Sequence, residues 1–300
     1  MNPCAGSRAV FAARGPGRES YIKYTERGAN NMNELFSVAP LVVVECLALA
    51  ALLGAVLASF VGCAVARSLA GQSFLTGRSR CDSCGHVLGP FELVPIFSWL
   101  RQKGRCRWCG ANIPARCPIT EGLTAAAFGA FVWRYGVSLQ TLEYLIFTLI
   151  LLAVALVDWD TGFIPDGLLL AGILDFVLLT LLRGEGAAAL GRGVLAGAAL
   201  AVPLLLIVLV MDRVLGRESM GGGDIKLFFT VGLFGSLRTD LLVVLLACVI
   251  GIGLALLPQK TAHEGEPSGA IPFGPAISAA AVLSLLWGEP FVAAYLSLFA

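Results

Sequence analysis

Apolar runs of near-spanning length recur along most of the sequence and constrain the fold more than any other feature. The eight runs cover roughly residues 40–64, 119–135, 139–157, 165–182, 190–211, 225–237, 240–257 and 273–299. The hydrocarbon core of a bilayer has no water to hydrogen-bond an exposed backbone, so such segments cross it as helices rather than as isolated strands. The sequence therefore predicts an all-α, polytopic membrane protein of about eight transmembrane helices.

The composition agrees with a membrane protein. Hydrophobic residues make up 57% of the 300 residues, charged residues make up 14%, and the mean hydropathy is +0.83. Ordinary soluble domains carry about 25% charged residues. A soluble core of this length cannot bury so much apolar surface, so membrane lipids are the expected surroundings. The net charge of +1 gives no indication of nucleic acid, and we expect no such partner.

Lysine and arginine concentrate in the segment after the first apolar run. Residues 65–118 contain eight of them and only two acids, Asp82 and Glu92. The positive-inside rule therefore predicts that this segment is a cytoplasmic loop. Counting the apolar runs forward places three further segments on the same side, namely 158–164, 212–224 and 258–272.

The chain divides into four parts: a tail (1–39), the first transmembrane helix (40–64), the cytoplasmic loop (65–118) and a membrane domain (119–300). The tail carries five basic residues before Met32, although the topology places it outside. It has no apolar stretch beside those charges, so it is not a standard signal peptide. We expect translation to start at Met32, with residues 1–31 untranslated; a disordered tail is the alternative.

Two CxxC pairs, each followed by glycine, lie in the predicted cytoplasmic loop: Cys81, Cys84, Cys106 and Cys109. The glycine allows a tight turn, so both thiolates of a pair can reach one tetrahedral ion. Four thiolates leave no open coordination position, which predicts a structural zinc site, or a site for a similar metal, rather than a catalytic one. A redox pair or a chance set of cysteines is the alternative. His86 is a possible substitute ligand, and Cys117 has no partner cysteine.

Carboxylates border the apolar runs in two places on the predicted cytoplasmic side. One is VALVDWDTGFIPD, with Asp158, Asp160 and Asp166, and the other is SMGGGDIKL, with Asp224. Charged residues at a span are costly and indicate function. Two facing carboxyl groups can share a proton, so that one activates water while the other donates to a scissile carbonyl. The pattern favours aspartic protease chemistry, but spacing alone leaves open which acid of the first group pairs with Asp224.

Three glycines precede Asp224. Because Gly221, Gly222 and Gly223 carry no side chains, a substrate backbone can approach the acid closely. They also allow an irregular start to a helix that we expect to begin at Ile225. The structural alternatives are a helix N-cap role for Asp224 and an interfacial helix end for the first acidic group.

In this order the motifs resemble those of the type IV prepilin peptidases, a family of GxGD membrane aspartic proteases. The resemblance spans about residues 52–277 and rests on RSRCDSCG, VPIFSWL, KGRCRWCG, IPARCPITE, ALVDWDTGFIPD, GGGDIKL and IPFGPAI. It implies that Asp158 and Asp224 are the two catalytic acids. It also implies cleavage of the basic leader of prepilins and pseudopilins after Gly, at the cytoplasmic face of the bacterial inner membrane.

The resemblance implies a second activity, N-methylation of the new N-terminal residue with S-adenosylmethionine as the methyl donor. The methyl-donor site is unknown, because the sequence has no Rossmann-type glycine motif. The stretches ASFVGCAVARS and PFELVP depart from the family pattern, and these departures bear on methylation more than on proteolysis. A peptidase without methylase activity is therefore one alternative. A transporter that uses the carboxylates for cations and a non-enzymatic assembly factor are the others.

Overall fold

The computed structural model describes Phe36 and residues 39–73, 77–216, 219–256 and 272–298. Within these ranges the protein is all-α, with nine α-helices. They are α1 (Pro40–Leu69), α2 (Phe97–Arg101), α3 (Arg116–Tyr135), α4 (Leu139–Thr161), α5 (Asp166–Leu182), α6 (Gly186–Leu215), α7 (Gly222–Gly232), α8 (Leu237–Ala255) and α9 (Gly274–Ser297). A 3-10 turn at Pro90–Glu92 precedes α2. The tail 1–31 and the expected start at Met32 lie outside the described residues.

All helices except the five-residue α2 correspond to predicted apolar runs, which confirms the helical membrane fold. Five of them, α1, α4, α6, α8 and α9, are long and apolar enough to cross a membrane. Helix α7 has 11 residues and is about 16 Å long, which is too short to span a bilayer alone. Helix α5 has 17 residues, and α3 contains Arg116, Glu121 and Arg134. The number of eight crossings therefore stays a prediction.

The sixth apolar run forms a helix with different boundaries from those we expected. We expected a helix from Ile225 to residue 237, whereas α7 covers Gly222–Gly232 and turn residues follow it. The helix ends early because Ser236 caps the next one: its backbone N–H donates to the Thr239 hydroxyl at 2.9 Å, in a capping box. The helix also starts earlier than expected, because its first two residues are the glycines Gly222 and Gly223.

Ion pairs identify the two ends of the helix bundle. At one end, Arg183 pairs with the buried Glu143. At the other end, Arg116 at the start of α3 pairs with Asp160 at the end of α4. We call this second end the site end, because all four acids of the two predicted motifs lie there: Asp158, Asp160, Asp166 and Asp224.

Close packing fixes the short helix α7 against its longer neighbours. The ring of Phe234, just after α7, stacks on Phe147 of α4 with centroids 3.8 Å apart. A Cβ on Gly232 would lie 2.7 Å from the Gly197 Cα, so α6 and α7 are in backbone contact. Small residues allow helices to approach this closely in membranes. The contact helps to position Asp224 at the other end of α7.

The thiol loop comprises the described residues 70–73 and 77–115 between α1 and α3, and a tryptophan packs in its second half. Trp99 Nε1 donates to the Ile113 carbonyl at 3.1 Å. Its ring lies so near Gly104 that a Cβ there would be 2.9 Å away. Two isolated antiparallel bridges close the two CxxC turns, Arg80 with Val87 and Arg105 with Asn112. The SWL motif thus supplies the tryptophan against which the residues on either side of the second turn pack.

Candidate active site and metal centre

Asp158 lies in the last turn of α4 and is buried, with 4% of its surface exposed. The helix begins after Ser138, whose hydroxyl accepts the Thr141 N–H at 3.1 Å. It ends at Gly162, which has a left-handed conformation with φ 65° and donates its N–H to the Asp158 carbonyl. Glycine adopts positive φ without strain, so it suits this position. These boundaries place the Asp158 carboxyl group at the site end.

The N-terminus of α9 holds the Asp158 carboxylate. The Gly274 N–H donates to Oδ2 at 2.7 Å. A Cβ on Gly274 would lie 2.6 Å from the same oxygen, so a side chain there would displace the carboxylate. The positive end of the helix dipole also favours a negative charge at this place. Sequence patterns did not indicate this role for Gly274, because the two residues are 116 positions apart.

Asp224 is the third residue of α7 and is half-buried. Its N–H donates to the Gly221 carbonyl at 3.1 Å, and Gly221 rather than Asp224 is the N-cap. The alternative that this acid serves as the N-cap is therefore wrong. The Asp158 carboxyl group is close enough to interact electrostatically with that of Asp224. The end of α4 and the start of α7 thus place both acids at the site end.

The three glycines have different surroundings. A Cβ on Gly221 would lie 3.4 Å from Asp224 Oδ2, while a Cβ on Gly222 would have nothing within 4 Å. A Cβ on Gly223 would lie 3.1 Å from the Cβ of Ile164, which is buried in the connection between α4 and α5. Gly223 therefore lets α7 pack against the segment after the first acid. Gly222 leaves open space beside the second.

The other two acids of the first motif have partners of their own. Asp160 pairs with Arg116, and Asp166 accepts Lys226 Nζ at 2.7 Å, with both side chains exposed. Asp158, the remaining acid of this motif, interacts electrostatically with Asp224. That Asp158 and Asp224 form the catalytic pair stays a prediction.

The four cysteines of the CxxC pairs converge in the thiol loop. Their Sγ atoms all lie within 4.8 Å of one another, and those of Cys81 and Cys109 are 3.8 Å apart. A tetrahedral zinc ion with Zn–S bonds of about 2.3 Å requires sulfurs about 3.8 Å apart. The cluster fits such an ion, so these four thiols can hold a metal.

The two CxxC turns share the same backbone geometry. The Gly85 N–H donates to the Cys81 carbonyl at 2.8 Å, and the Gly110 N–H donates to the Cys106 carbonyl at 2.9 Å. Both glycines have positive φ, 69° and 73°, as the expected tight turn requires. Backbone N–H groups, that of Cys84 foremost, lower the pKa of the Cys81 thiol to about 7, whereas burial and the neighbouring thiols raise the pKa of the Cys109 thiol to about 12. The thiolate, which is the form that binds metals, is therefore favoured at Cys81.

His86 and Cys117 lie outside the thiol cluster. The His86 ring packs against Trp108 with centroids 4.2 Å apart. Cys117 is the second residue of α3. The four-thiol group is complete without either residue, so His86 is not needed as a substitute ligand.

Glu121 is a buried acid that sequence patterns did not identify. Its Oε2 accepts the Ile96 N–H at 2.7 Å and ties the thiol loop to the second turn of α3. Ile96 has φ 60°, which is rare for a β-branched residue. Although the IPARCPITE motif contains the glutamate, its partner lies 25 residues earlier and no periodic pattern joins them.

The fold and the site together define a polytopic helical membrane protein with paired carboxyl groups at one end and a four-thiol centre in a loop. The sequence matches the family model described as Bacterial Peptidase A24 N-terminal domain over residues 52–135, and the model described as Type IV leader peptidase family over residues 145–256. The first range contains the four thiols and the second contains both acids. This chain belongs to the type IV leader peptidase family.

Curated relatives carry the name prepilin leader peptidase/N-methyltransferase. That of Stutzerimonas stutzeri is 34% identical over 222 residues, which cover 73% of this chain and 74% of the relative. That of Aeromonas hydrophila is 33% identical over 229 residues, 76% of this chain and 77% of the relative. That of Bacillus subtilis strain 168 is 30% identical over 247 residues, 82% of this chain and 96% of the relative. No solved structure matches this chain.

Proposed function

We propose that this protein is a prepilin leader peptidase in which Asp158 and Asp224 hydrolyse the bond between the leader and the mature chain. The observation that carries the proposal is that these two carboxyl groups lie at the same end of the bundle and interact electrostatically, with a run of glycines beside the second. The names of the relatives support it, since they act on prepilins.

In the proposed mechanism the two acids have different roles. Asp158 accepts the Gly274 N–H, and such a bond is stronger to an ionised carboxylate, so Asp158 is the general base. It removes a proton from water, whose oxygen attacks the scissile carbonyl carbon, while protonated Asp224 donates its proton to the carbonyl oxygen. When the tetrahedral intermediate collapses, Asp158 returns its proton to the leaving amine and Asp224 recovers its own from the hydroxyl group.

The glycines beside Asp224 limit the size of the substrate residue that can precede the cleaved bond. Gly222 leaves open space beside Asp224, while a Cβ added at Gly221 would lie 3.4 Å from its carboxylate. This space accepts a peptide backbone, and a small residue such as glycine suits it better than a branched one. We therefore assign Gly221, Gly222 and Gly223 to substrate approach.

The proposed orientation follows from charge. The excess of lysine and arginine in the segment between α1 and α3 favours a cytoplasmic position for the thiol loop. The site end then faces the cytoplasm of a bacterial inner membrane, where the leader of a prepilin or pseudopilin lies. The apolar helix of the substrate would lie in the lipid below the cut.

We assign zinc to the thiol cluster. Cys81, Cys84, Cys106 and Cys109 would hold it as thiolates, and it would supply a structural cross-link between the two CxxC turns. Because four protein ligands fill a tetrahedral ion, no hydrolytic step is assigned to the metal. The two acids carry out the hydrolysis without it.

Methylation of the new N-terminal residue, with S-adenosylmethionine as donor, is the second proposed activity. It is supported by the names of the relatives. No residue in the described part of the chain is assigned to the methyl donor.

Co-expression with a prepilin, followed by mass spectrometry of the pilin N-terminus, tests both activities in one measurement. The wild type should give a shortened N-terminus that is one methyl group heavier. The Asp224→Asn variant should leave the leader in place, and Asp166→Asn, which changes an exposed acid, should not. A cleaved but unmethylated product would restrict the function to proteolysis, and an uncleaved product would contradict the proposal.

A further inference from the structure

The thiol loop exposes a group of large apolar side chains that lie close together in sequence. They belong to the 3-10 turn, to helix α2 and to the residues between them: Phe91, Leu93, Val94, Phe97 and Leu100. Phe91 is 77% exposed, Phe97 59% and Leu100 60%. Soluble surfaces rarely leave contiguous apolar patches of this kind uncovered. We therefore expect these side chains to be buried against another molecule or against lipid.

Helix α2 presents these side chains together with a positive charge. Phe97, Leu100 and Arg101 are spaced i, i+3 and i+4, which places them on one face of the helix. The same helix turns Trp99 inward to the centre of the loop. One side of α2 thus packs on the loop, and the other carries apolar and basic groups outward.

The attachment of the loop to α3 fixes the position of this face along that helix. Ile96, immediately before α2, donates its N–H to Glu121 in the second turn of α3. Its Cδ1 lies 3.9 Å from the position of a Cβ on Gly122. The next residue of α3, Leu123, is exposed. Helix α2 therefore lies level with the second turn of α3, where the apolar side chains Ile119 and Leu123 are exposed on that helix.

Basic residues follow the apolar group directly in the sequence, and Arg107 alone among them interacts electrostatically with the nearby Glu92. Four of them are exposed and form no ion pair with any described residue: Arg101, Lys103, Arg105 and Arg107. The Glu92 carboxylate already accepts hydrogen bonds from the Gly89 N–H and from Trp108. A basic leader would be repelled by these charges, whereas anionic lipid headgroups are attracted to such clusters. The positive charges therefore favour an anionic lipid surface, rather than the basic leader, as the partner that buries the apolar side chains.

We propose that this face of the thiol loop docks on an anionic membrane surface. Phe91, Phe97 and Leu100 enter the interfacial layer, and Arg101 with Lys103 binds phosphate-bearing headgroups. Apolar side chains buried at an interface, with basic residues beside them, are the usual basis of such binding. Docking of this face on lipid would not require peptidase activity. Docking would hold the metal centre against the bilayer next to the site end.

The depth of one side chain tests the proposal directly. The full-length protein is reconstituted as single copies in nanodiscs that contain phosphatidylglycerol. A ketone-bearing phenylalanine analogue replaces Phe97 and carries a nitroxide, because the native thiols rule out cysteine labelling. The matched control carries the same label at Asp82, an exposed residue of the same loop. Metal content confirms that both labelled loops are folded.

The label at Phe97 should collide with oxygen and be protected from a water-soluble nickel chelate, while the label at Asp82 should show the reverse. Equal access of nickel to both labels would overturn the proposal. A second copy cannot cause the protection, because each disc holds one. If the photo-crosslinker benzoylphenylalanine at Phe97 captures added prepilin in place of lipid, the face belongs to the substrate and the proposal is wrong.

Charge variants test the choice of headgroup. The double variant Arg101→Gln with Lys103→Gln should raise nickel access to the Phe97 label several-fold in anionic discs. The pair Arg78→Gln with Arg80→Gln removes the same charge elsewhere in the loop and should leave access unchanged. In discs of phosphatidylcholine alone, the first pair should have no effect. Equal effects of the two pairs would refute the binding of anionic headgroups by Arg101 and Lys103.

Discussion

At the scale of single residues, the two acids of the site differ in their surroundings. Asp158 is buried and bonded to a helix N-terminus, whereas Asp224 is half-buried beside open space. In the proposed mechanism this difference gives each carboxyl group its own task in proton transfer, so we expect that neither can replace the other.

Replacing either acid by its amide should abolish cleavage, because an amide neither takes up nor releases a proton in this reaction. We expect Asp158→Asn and Asp224→Asn each to slow processing of a prepilin in membranes by about 10²–10⁴-fold or more. Asp160→Asn should retain measurable activity, since that acid pairs with Arg116 instead. Immunoblots of the membrane fraction control for insertion. Near wild-type cleavage by either of the first two variants would refute the assignment of the pair.

Gly274→Ala should lower activity although it removes no polar group. The added methyl group would lie 2.6 Å from Asp158 Oδ2 and must displace that carboxylate. A displacement of about 1 Å can reduce a rate by about 10²-fold. The matched control is Gly253→Ala in α8, where a Cβ has nothing within 4 Å. Initial cleavage rates of the two variants give the comparison, and equal rates would show that Gly274 does not position Asp158.

At the scale of single elements, α7 is stable only through its neighbours. It is too short to span a bilayer by itself, yet it carries the second acid in its first turn. Backbone contact with α6 at Gly197 and Gly232 replaces the anchoring that a longer helix would have.

Two glycines of α6 test this dependence. A Cβ on Gly197 would lie 2.6 Å from the Phe229 carbonyl oxygen, whereas a Cβ on Gly191 has nothing within 4 Å. Gly197→Ala should therefore destabilise the protein by about 1–3 kcal/mol. Gly191→Ala should be neutral or slightly stabilising, because alanine favours helix. Thermal unfolding in detergent micelles measures the difference, and equal melting temperatures would contradict the contact.

The thiol loop should carry about one metal ion per chain. Serine in place of Cys81, Cys84, Cys106 or Cys109 should lower the metal content and destabilise the loop, because three thiolates leave a tetrahedral ion incompletely held. Peptidase activity should fall only in part, since the acids lie outside the loop. Elemental analysis of purified protein measures the content, with Cys117→Ser as the control outside the cluster. Wild-type protein without any thiophilic metal would refute the site.

At the scale of the whole molecule, local patterns predict more of the fold than of the site. Apolar runs predicted the helices and the CxxC pairs predicted the thiol cluster, because each run and each pair is a continuous or closely spaced signal in the sequence. The bond from Gly274 to Asp158 and that from Ile96 to Glu121 could not be predicted, because each joins distant segments through tertiary packing. The start of α7 was missed because glycine is a poor helix former.

The position of the acids at one end of the bundle predicts how a substrate must be built. Full-length prepilin should be cleaved, because its leader is polar and its apolar helix holds the bond at the right depth. A Gly→Val change before the cut should block cleavage, since the space beside Gly222 suits a backbone. A soluble peptide without the apolar helix should be cut poorly. Incubation of purified enzyme with all three substrates compares their rates, and equal rates would refute selection by depth.

The bond between Gly274 and Asp158 also bears on how the protein is made. Synthesis proceeds from the N-terminus, so Asp158 and Asp224 reach the membrane before α9, the last of the described helices. The backbone donor for Asp158 therefore arrives only when α9 inserts. A nascent chain that still lacks this helix holds both acids but not the group that orients the first, so proteolytic competence should appear late in biogenesis.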